Sequence, residues 1–284
     1  MLQCITQVRH GSRRFLVAGV STVIAVVAAG MLVTFASGAA APRPVPLGTA
    51  DSFAVLAGSG ITDTGSTVIT GDLGTFPTTR MTGTNLLVVH GTNHAGDSVT
   101  QGAKTDLVTA YNTAAGKGPT FPITADLGGQ TLVPGFYNSG SSIGLTGTVT
   151  LNAKGNPNAT FIFQAGSTLT TASASNVKLI NGAQACNVYW QIGSSATLGT
   201  GSHLRGTILA LTSITLTTGA TVDGRVLARN GAVTLDTNTI TKSTCAVKKK
   251  RQPKHHGQHH RKHHRKHGAT STAHTPKHHV GLTG

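Results

Sequence analysis

The residues best suited to chemistry in this chain are few, and each lacks a partner that its chemistry requires. Asp63-Thr64-Gly65 is the triplet that carries a catalytic carboxylate in aspartic proteases. That reaction runs on two carboxylates sharing one proton, and no second such triplet occurs. Gly140-Ser141-Ser142-Ile143-Gly144 has the Gly-x-Ser-x-Gly spacing of a hydrolase nucleophile. That motif needs a turn from strand into helix, whereas strand-like sequence flanks it on both sides. His90 and His94 have the i, i+4 spacing of paired metal ligands, but Gly91 and Asn93 intervene. No third ligand is near, and a zinc site needs three or four; both are expected to face solvent or to cap a following helix. Arg205, Arg225 and Arg229 have the basic character used by polysaccharide lyases, whose calcium requires clustered acids. The eight Asp residues are scattered, no two within eight positions, and Glu is absent. A carbohydrate-active enzyme is thus the least supported reading; no catalytic residue and no cofactor is expected, and no metal in the folded region.

Repetition is the informative feature. Thr197–Ala210 aligns with Thr215–Ala228 at an offset of 18, placing Gly201 on Gly219, Gly206 on Gly224, Leu209 on Leu227 and Ala210 on Ala228. Leu198, Leu216 and Leu235 follow at spacings of 18 and 19. A short period rich in Thr, Gly and aliphatics marks a β-solenoid, in which each coil buries its aliphatics against the next. Thr alternates with aliphatics in 145–151, 167–170, 213–217 and 233–237. Successive strand side chains point to opposite faces, so the aliphatics go inward and the threonines stack outward across coils. Thr is stiff at χ1, which makes such a ladder a rigid, flat array of methyl and hydroxyl groups. Function is therefore sought on a flat outer face before a pocket. The segment Ala95–Ala115 differs: Val99, Ala103, Leu107, Ala110 and Ala114 recur at spacings of three and four, the stripe of an amphipathic helix. Asp97 favours its positive end, and Gly116-Lys117-Gly118-Pro119 stops it. This single helix is expected to lie lengthwise along one solenoid face.

Charge divides the chain into three regions. The net charge of +15 resides at the ends: residues 45–245 hold nine Lys and Arg against all eight Asp. A near-neutral folded region argues against nucleic-acid binding. Residues 1–41 read as an export signal, with Arg9, Arg13 and Arg14 before an uncharged, mostly apolar run from Phe15 to Ala36 and a small-residue cluster from Ala36 to Ala41. Cleavage is expected near 38–41; the alternative is an uncleaved anchor, since ~20 apolar residues can span a bilayer. Either way the rest lies outside the cytoplasm, secreted or at the cell surface. Cys4 precedes the apolar run, whereas Cys186 and Cys245 both fall in the exported part and suggest a disulfide; two free thiols are the alternative. The bridge would pin the last coil at an open end of the solenoid. Residues 246–284 form a basic tail with ten His, no acid and no aromatic residue, a composition expected to be disordered. His255, His256, His259, His260, His263 and His264 are its candidate ligands for a divalent metal. Its charge suits anionic cell-wall polymers, and the lack of aromatics excludes base stacking and hence specific nucleic-acid recognition.

Several of these segments together resemble one family. Leu47–Gly58 (LGTADSFAVLAG), Gly71–Gly74 (GDLG), Asp126–Tyr137 (DLGGQTLVPGFY), Phe161–Gln164 (FIFQ), Asn187–Gly193 (NVYWQIG) and the run from Gly224 to Ile240 are similar to the bacterial and fungal ice-binding-like proteins. The similarity covers about Leu47 to Cys245. It implies a mostly β, right-handed discontinuous β-solenoid with one long α-helix alongside, over the domain 45–245. It also implies binding of ice and its ordered water through outward residues of one flat face, with crystal adsorption and inhibition of recrystallisation. Some members show a Thr-(Ala/Gly)-x-(Thr/Asn) pattern there. Thr64-Gly65-Ser66-Thr67, Thr82-Gly83-Thr84-Asn85 and Thr218-Gly219-Ala220-Thr221 fit it. Thr200-Gly201-Ser202-His203 ends in His and Asp236-Thr237-Asn238-Thr239 lacks the small second residue. The candidate ice-binding residues are accordingly Thr64, Thr67, Thr82, Asn85, Thr200, Thr218 and Thr221. The alternative is a cell-surface structural or adhesin module, bound to the wall by its tail, which tolerates interruptions such as His203.

Overall fold

The computed structural model describes residues 44–246. The export segment, Cys4 and the tail histidines lie outside the described residues. The fold is a β-solenoid whose strands pair in parallel throughout. One coil shows the plan: Val188–Ile192, then Ala196–Leu198, then the long strand His203–Ala210. That long strand bends at Gly206, so its two halves lie on different sides of the coil. Three sides result. The 18-residue offset is the register itself, with Leu204 beside Val222, Gly206 beside Gly224 and Leu209 beside Leu227. Gly is needed at the stacked bends: Gly206 has φ +117, and a Cβ on Gly224 would sit 1.8 Å from the Gly206 carbonyl oxygen.

The coils are of two sizes. Inward residues Ile214 and Val233 follow Ala196 at 18 and 19 residues, but Ile143, Leu169 and Ala196 are 26 and 27 apart. The core follows that change in girth. Along one inward column Tyr137, Phe163 and Trp190 stack in the wide coils, with ring centroids 5.4 and 4.2 Å apart. Ile208, Val226, Val55 and Leu73 continue the column in the narrow ones. All seven are buried.

The stack is not in chain order. The N-terminal strands Ile61–Asp63 and Val68–Thr70 pair with Val233–Leu235 and Thr239–Thr241. The last coil is therefore covered, and the expectation of an open end there is corrected: its exposed ladder groups are taken up by the first coil of the chain. After a second N-terminal coil the helix Ser98–Ala115 carries the chain back to the other end. Its 18 residues span about 27 Å. The eight strands on that side, from Asp72–Thr75 to Phe121–Pro122, rise about 34 Å at 4.8 Å per step, so the helix runs along most of the stack.

The helix begins at Asp97, whose side chain accepts from the Thr100 backbone N–H, and buries Thr100, Ala103, Leu107, Ala110, Tyr111 and Ala114. Val99, expected in that stripe, is exposed. Thr100 takes its place because its hydroxyl bonds the His94 carbonyl beneath the first turn. The covered strands are buried on both faces, as parallel strands under a helix must be: Phe161–Ala165 and Val188–Ile192 have no exposed residue. Ile162, Tyr189, Leu209, Leu227 and Leu56 meet the helix. Gln164 Nε2 lies 2.8 Å from the Ala114 carbonyl and 3.0 Å from that of Lys117, occupying acceptors at the helix C-terminus. No described helix is long and apolar enough to cross a membrane.

Candidate functional site

One of the three sides is a seven-stranded sheet over which no described helix packs. Its strands are short and alike. Ile143-Gly144-Leu145, Leu169-Thr170-Thr171, Ala196-Thr197-Leu198, Ile214-Thr215-Leu216, Val233-Thr234-Leu235, Ile61-Thr62-Asp63 and Met81-Thr82 stack in that order. The outer residues of each triplet point inward, and all are buried except Met81. The central ones point out and are in register: Gly144, Thr170, Thr197, Thr215, Thr234, Thr62, Thr82. Six threonines thus form one unbroken row, roughly 24 Å long at the ~4.8 Å strand spacing. The residue before each triplet adds a second row of small groups, Ser142, Thr168, Ser195, Ser213, Ala232 and Gly60. Its hydroxyls are held: Thr168 Oγ1 donates to Ser142 Oγ at 2.8 Å, and Ser213 Oγ accepts from the Ala232 N–H at 3.2 Å. Neither set contains a charged residue; Arg80 and Asp126 stand at the two ends.

The third side is different in chemistry. Its two outward columns read Thr148, Asn176, His203, Thr221, Thr239, Val68, Val88 and Thr150, Lys178, Arg205, Asp223, Thr241, Thr70, His90. Charges and bulky groups break it up. His203 Nδ1 is 2.7 Å from Thr221 Oγ1, and Arg205 Nη1 is 3.2 Å from Asn176 Oδ1. Burial holds the Asp223 carboxyl above its usual range, against the pull of the Arg205 charge.

The residues singled out by the four-residue pattern do not converge. Thr218 lies three positions past Thr215, at the corner, and its hydroxyl bonds the Asp236 carboxylate. Thr221 begins the next strand on the mixed side. Thr200 occupies the same corner one coil away, 3.3 Å from Thr217 Oγ1. Thr64 is two positions past Thr62 and donates to the Leu235 carbonyl at 3.2 Å. Asn85 is exposed in the turn Thr84–Leu86. Thr82 alone belongs to the central row, where its hydroxyl meets Thr62 Oγ1 at 3.0 Å. Thr67 is fully buried, so its place among surface candidates is corrected. Its hydroxyl donates to Asp63 Oδ1 at 2.8 Å and accepts from the Asn238 N–H at 3.1 Å. The row members missed by the pattern are Thr62, Thr170, Thr197, Thr215 and Thr234. Their signal is the aliphatic-Thr-aliphatic triplet repeated at each coil.

Several other polar residues have structural roles. Asp63 faces the core. His94 Nδ1 sits 2.7 Å from Asp97 Oδ2 at the helix cap, and the backbone hydrogen bond from Thr100 lowers the Asp97 pKa. Arg225 is buried against Asp51, 2.6 Å from its Oδ1 and 3.0 Å from its carbonyl. Arg229 lies over the Tyr111 ring. Arg205, Arg225 and Arg229 thus point to three separate tasks. Cys186 and Cys245 are joined in a disulfide with Cα atoms 5.5 Å apart. No group of three or more potential metal ligands occurs among the described residues.

The described residues thus form a parallel solenoid with one uncharged threonine sheet. Residues 55–241 match the ice-binding-like family, and the chain belongs to that family. An ice-binding protein of Nostoc sp. (strain HG1) is 52% identical over 208 residues, spanning 72% of this chain and 77% of its own. The crystal structure of an ice-binding protein from an Antarctic biological consortium superposes with a TM-score of 0.71 at 47% identity, over 72% of this chain and 93% of that one. That of the Antarctic ascomycete Antarctomyces psychrotrophicus superposes with 0.69 at 41% identity, over 71% and 100% of the two chains.

Proposed function

We propose that the protein adsorbs to ice through its threonine sheet. The observation that carries this is the row Thr170, Thr197, Thr215, Thr234, Thr62, Thr82, in register and without an interposed charge. Each rung offers a methyl and a hydroxyl at fixed spacing, held by a backbone ladder and by buried aliphatics on either side. Such an array loses little freedom when water orders on it, because its own groups are already ordered. A charge would instead organise water around itself. The mixed side, with Lys178, Arg205 and Asp223, is poorly suited to a lattice. The reading also places the protein outside the cytoplasm, supported by the N-terminal segment and the Cys186–Cys245 disulfide. The test is direct: purified protein is added to a single ice crystal and to a polycrystalline film. Faceted growth and suppressed recrystallisation are expected; round crystals and free coarsening with a folded protein would reject the proposal.

A further inference from the structure

Three neighbouring strands of the helix side turn one above another toward the threonine sheet. Arg229 and Asn230 follow Thr221–Ala228, Gly58 follows Phe53–Ala57, and Phe76-Pro77 follow Asp72–Thr75. With the first half of the helix these turns enclose a cleft of about 410 Å³, lined by Lys104, Thr105, Val108, Phe76, Pro77 and Arg229 among others. Lys104 Nζ donates to the Ala228 carbonyl at 2.8 Å and to the Arg229 carbonyl, which leaves one of its three N–H groups. The Arg229 guanidinium carbon stands 5.5 Å from the Tyr111 ring centroid, and its Nε is buried without a hydrogen-bond partner. The ion pairs among the described residues are His94–Asp97 and Arg225–Asp51, so neither Lys104 nor Arg229 is paired with a carboxylate there. The other acid on the helix, Asp106, is bonded to Thr49. Burial, and after it the Arg229 charge, push the Lys104 ammonium down to about 8. A lysine that served only to close strand-end carbonyls would sit more favourably without a second cation beside it.

We propose that this cleft binds a small organic anion, one carboxylate on an apolar body, held between Lys104 and Arg229. Its size suits a small molecule. The two cations supply the attraction, since an anion between them restores the charge that neither finds in the protein. A carboxylate fits the donors better than a phosphate does. The remaining Lys104 N–H and a planar guanidinium match a flat, singly charged acceptor. Phe76, Pro77 and Val108 give the rest of the wall an apolar character, which favours a hydrocarbon body over a fully hydrated ion. Lys104 and Arg229 are the charged groups facing the cleft. Tyr111 is the other titratable group in contact with them, and its hydroxyl donates to the Ile192 carbonyl at 3.2 Å. None of the lining residues belongs to the threonine rows, so occupancy of the cleft is independent of ice adsorption.

The test is calorimetric titration of the full chain with benzoate, with benzyl alcohol as its uncharged counterpart, and with inorganic phosphate. Benzoate should half-saturate the protein at or below about 1 mM, at least about tenfold tighter than either of the others. Lys104→Met and Arg229→Met should each weaken benzoate at least about tenfold, as loss of a charged hydrogen bond requires. A second measurement needs no variant and decides the matter if either fails to fold. Benzoate stays ionised from about pH 7 to about pH 9.5, whereas Lys104 loses its proton across that range, so affinity should fall at least about fivefold. A lysine with a purely structural role would leave benzoate affinity unchanged with pH. Absence of benzoate binding, equal binding of benzyl alcohol or phosphate, folded variants that bind as before, or a flat pH profile would each overturn the proposal.

Discussion

Replacing Thr215 with Tyr places a ring in the middle of the threonine row. The neighbouring rungs, Thr197 and Thr234, lie one strand away on either side, about 4.8 Å each. A Tyr ring standing on that row overhangs both, so three of six rungs are lifted from a flat surface. If adsorption is shared evenly along the row, half its free energy is lost. The expected outcome is a rise of about tenfold or more in the concentration needed for half-maximal recrystallisation inhibition, about 1.4 kcal/mol. Thr215 is half-exposed and makes no side-chain hydrogen bond that folding depends on, so stability should move by less than about 0.5 kcal/mol. Thr221→Tyr is the matched control. It carries the same bulk six residues on, but on the mixed side beside His203, and should leave inhibition unchanged. The assay is recrystallisation inhibition across a dilution series, with thermal melts of both variants. Full activity in Thr215→Tyr together with loss in Thr221→Tyr would refute the assignment and move the surface to the corner and mixed side.

Further outcomes follow from the internal contacts. Reducing the disulfide, or Cys186→Ser with Cys245→Ser, opens a link across 59 residues; the chain-entropy value is about 4 kcal/mol. A melting point lower by roughly 8–16 °C is expected for a domain of this size, and a change below about 2 °C would show the link to be dispensable. Thr67→Val removes the donor to Asp63 and the acceptor for Asn238. It should cost about 1–3 kcal/mol in a denaturant titration while leaving ice activity per folded molecule intact; lost activity in a stable variant would return Thr67 to the surface. Acid should weaken the docking of the helix. Hydrogen bonds hold Asp97 and Asp106 below their ordinary pKa of 3.8, from the Thr100 and Thr49 groups respectively. A depressed folded pKa gives stability that is complete above the unfolded value and is lost as pH falls through the folded one. The melting point should therefore hold steady down to about pH 5 and decline below about pH 4, with a smaller decline in Asp97→Asn, which keeps a capping oxygen.

How far the fold was legible depended on where each coil keeps its length constant. The offset of 18 was visible because Thr197–Ala210 and Thr215–Ala228 stack residue on residue without an insertion. The wide coils hid their period of 26 or 27 because the mixed-side strands lengthen to Thr148–Asn152 and Asn176–Ile180 and feed longer turns. Nor does any periodicity say that Ile61–Asp63 belongs next to Val233–Leu235, since the pairing spans the chain. The same distinction separates the row from the four-residue pattern. Thr215 and Thr221 are six apart, but their neighbours in the next coil, Thr234 and Thr239, are five apart. A corner residue therefore shifts register whenever a turn gains or loses a residue, and the matching strings at 64, 82 and 218 fall in three different places. The strand centres do not shift. Leu198, Leu216 and their partners are seated in the core, and the threonine between two such residues is carried to the same height in every coil. A surface that must present evenly spaced groups over seven strands can be assembled only from those centres, and the search for it belongs with the buried residues on either side.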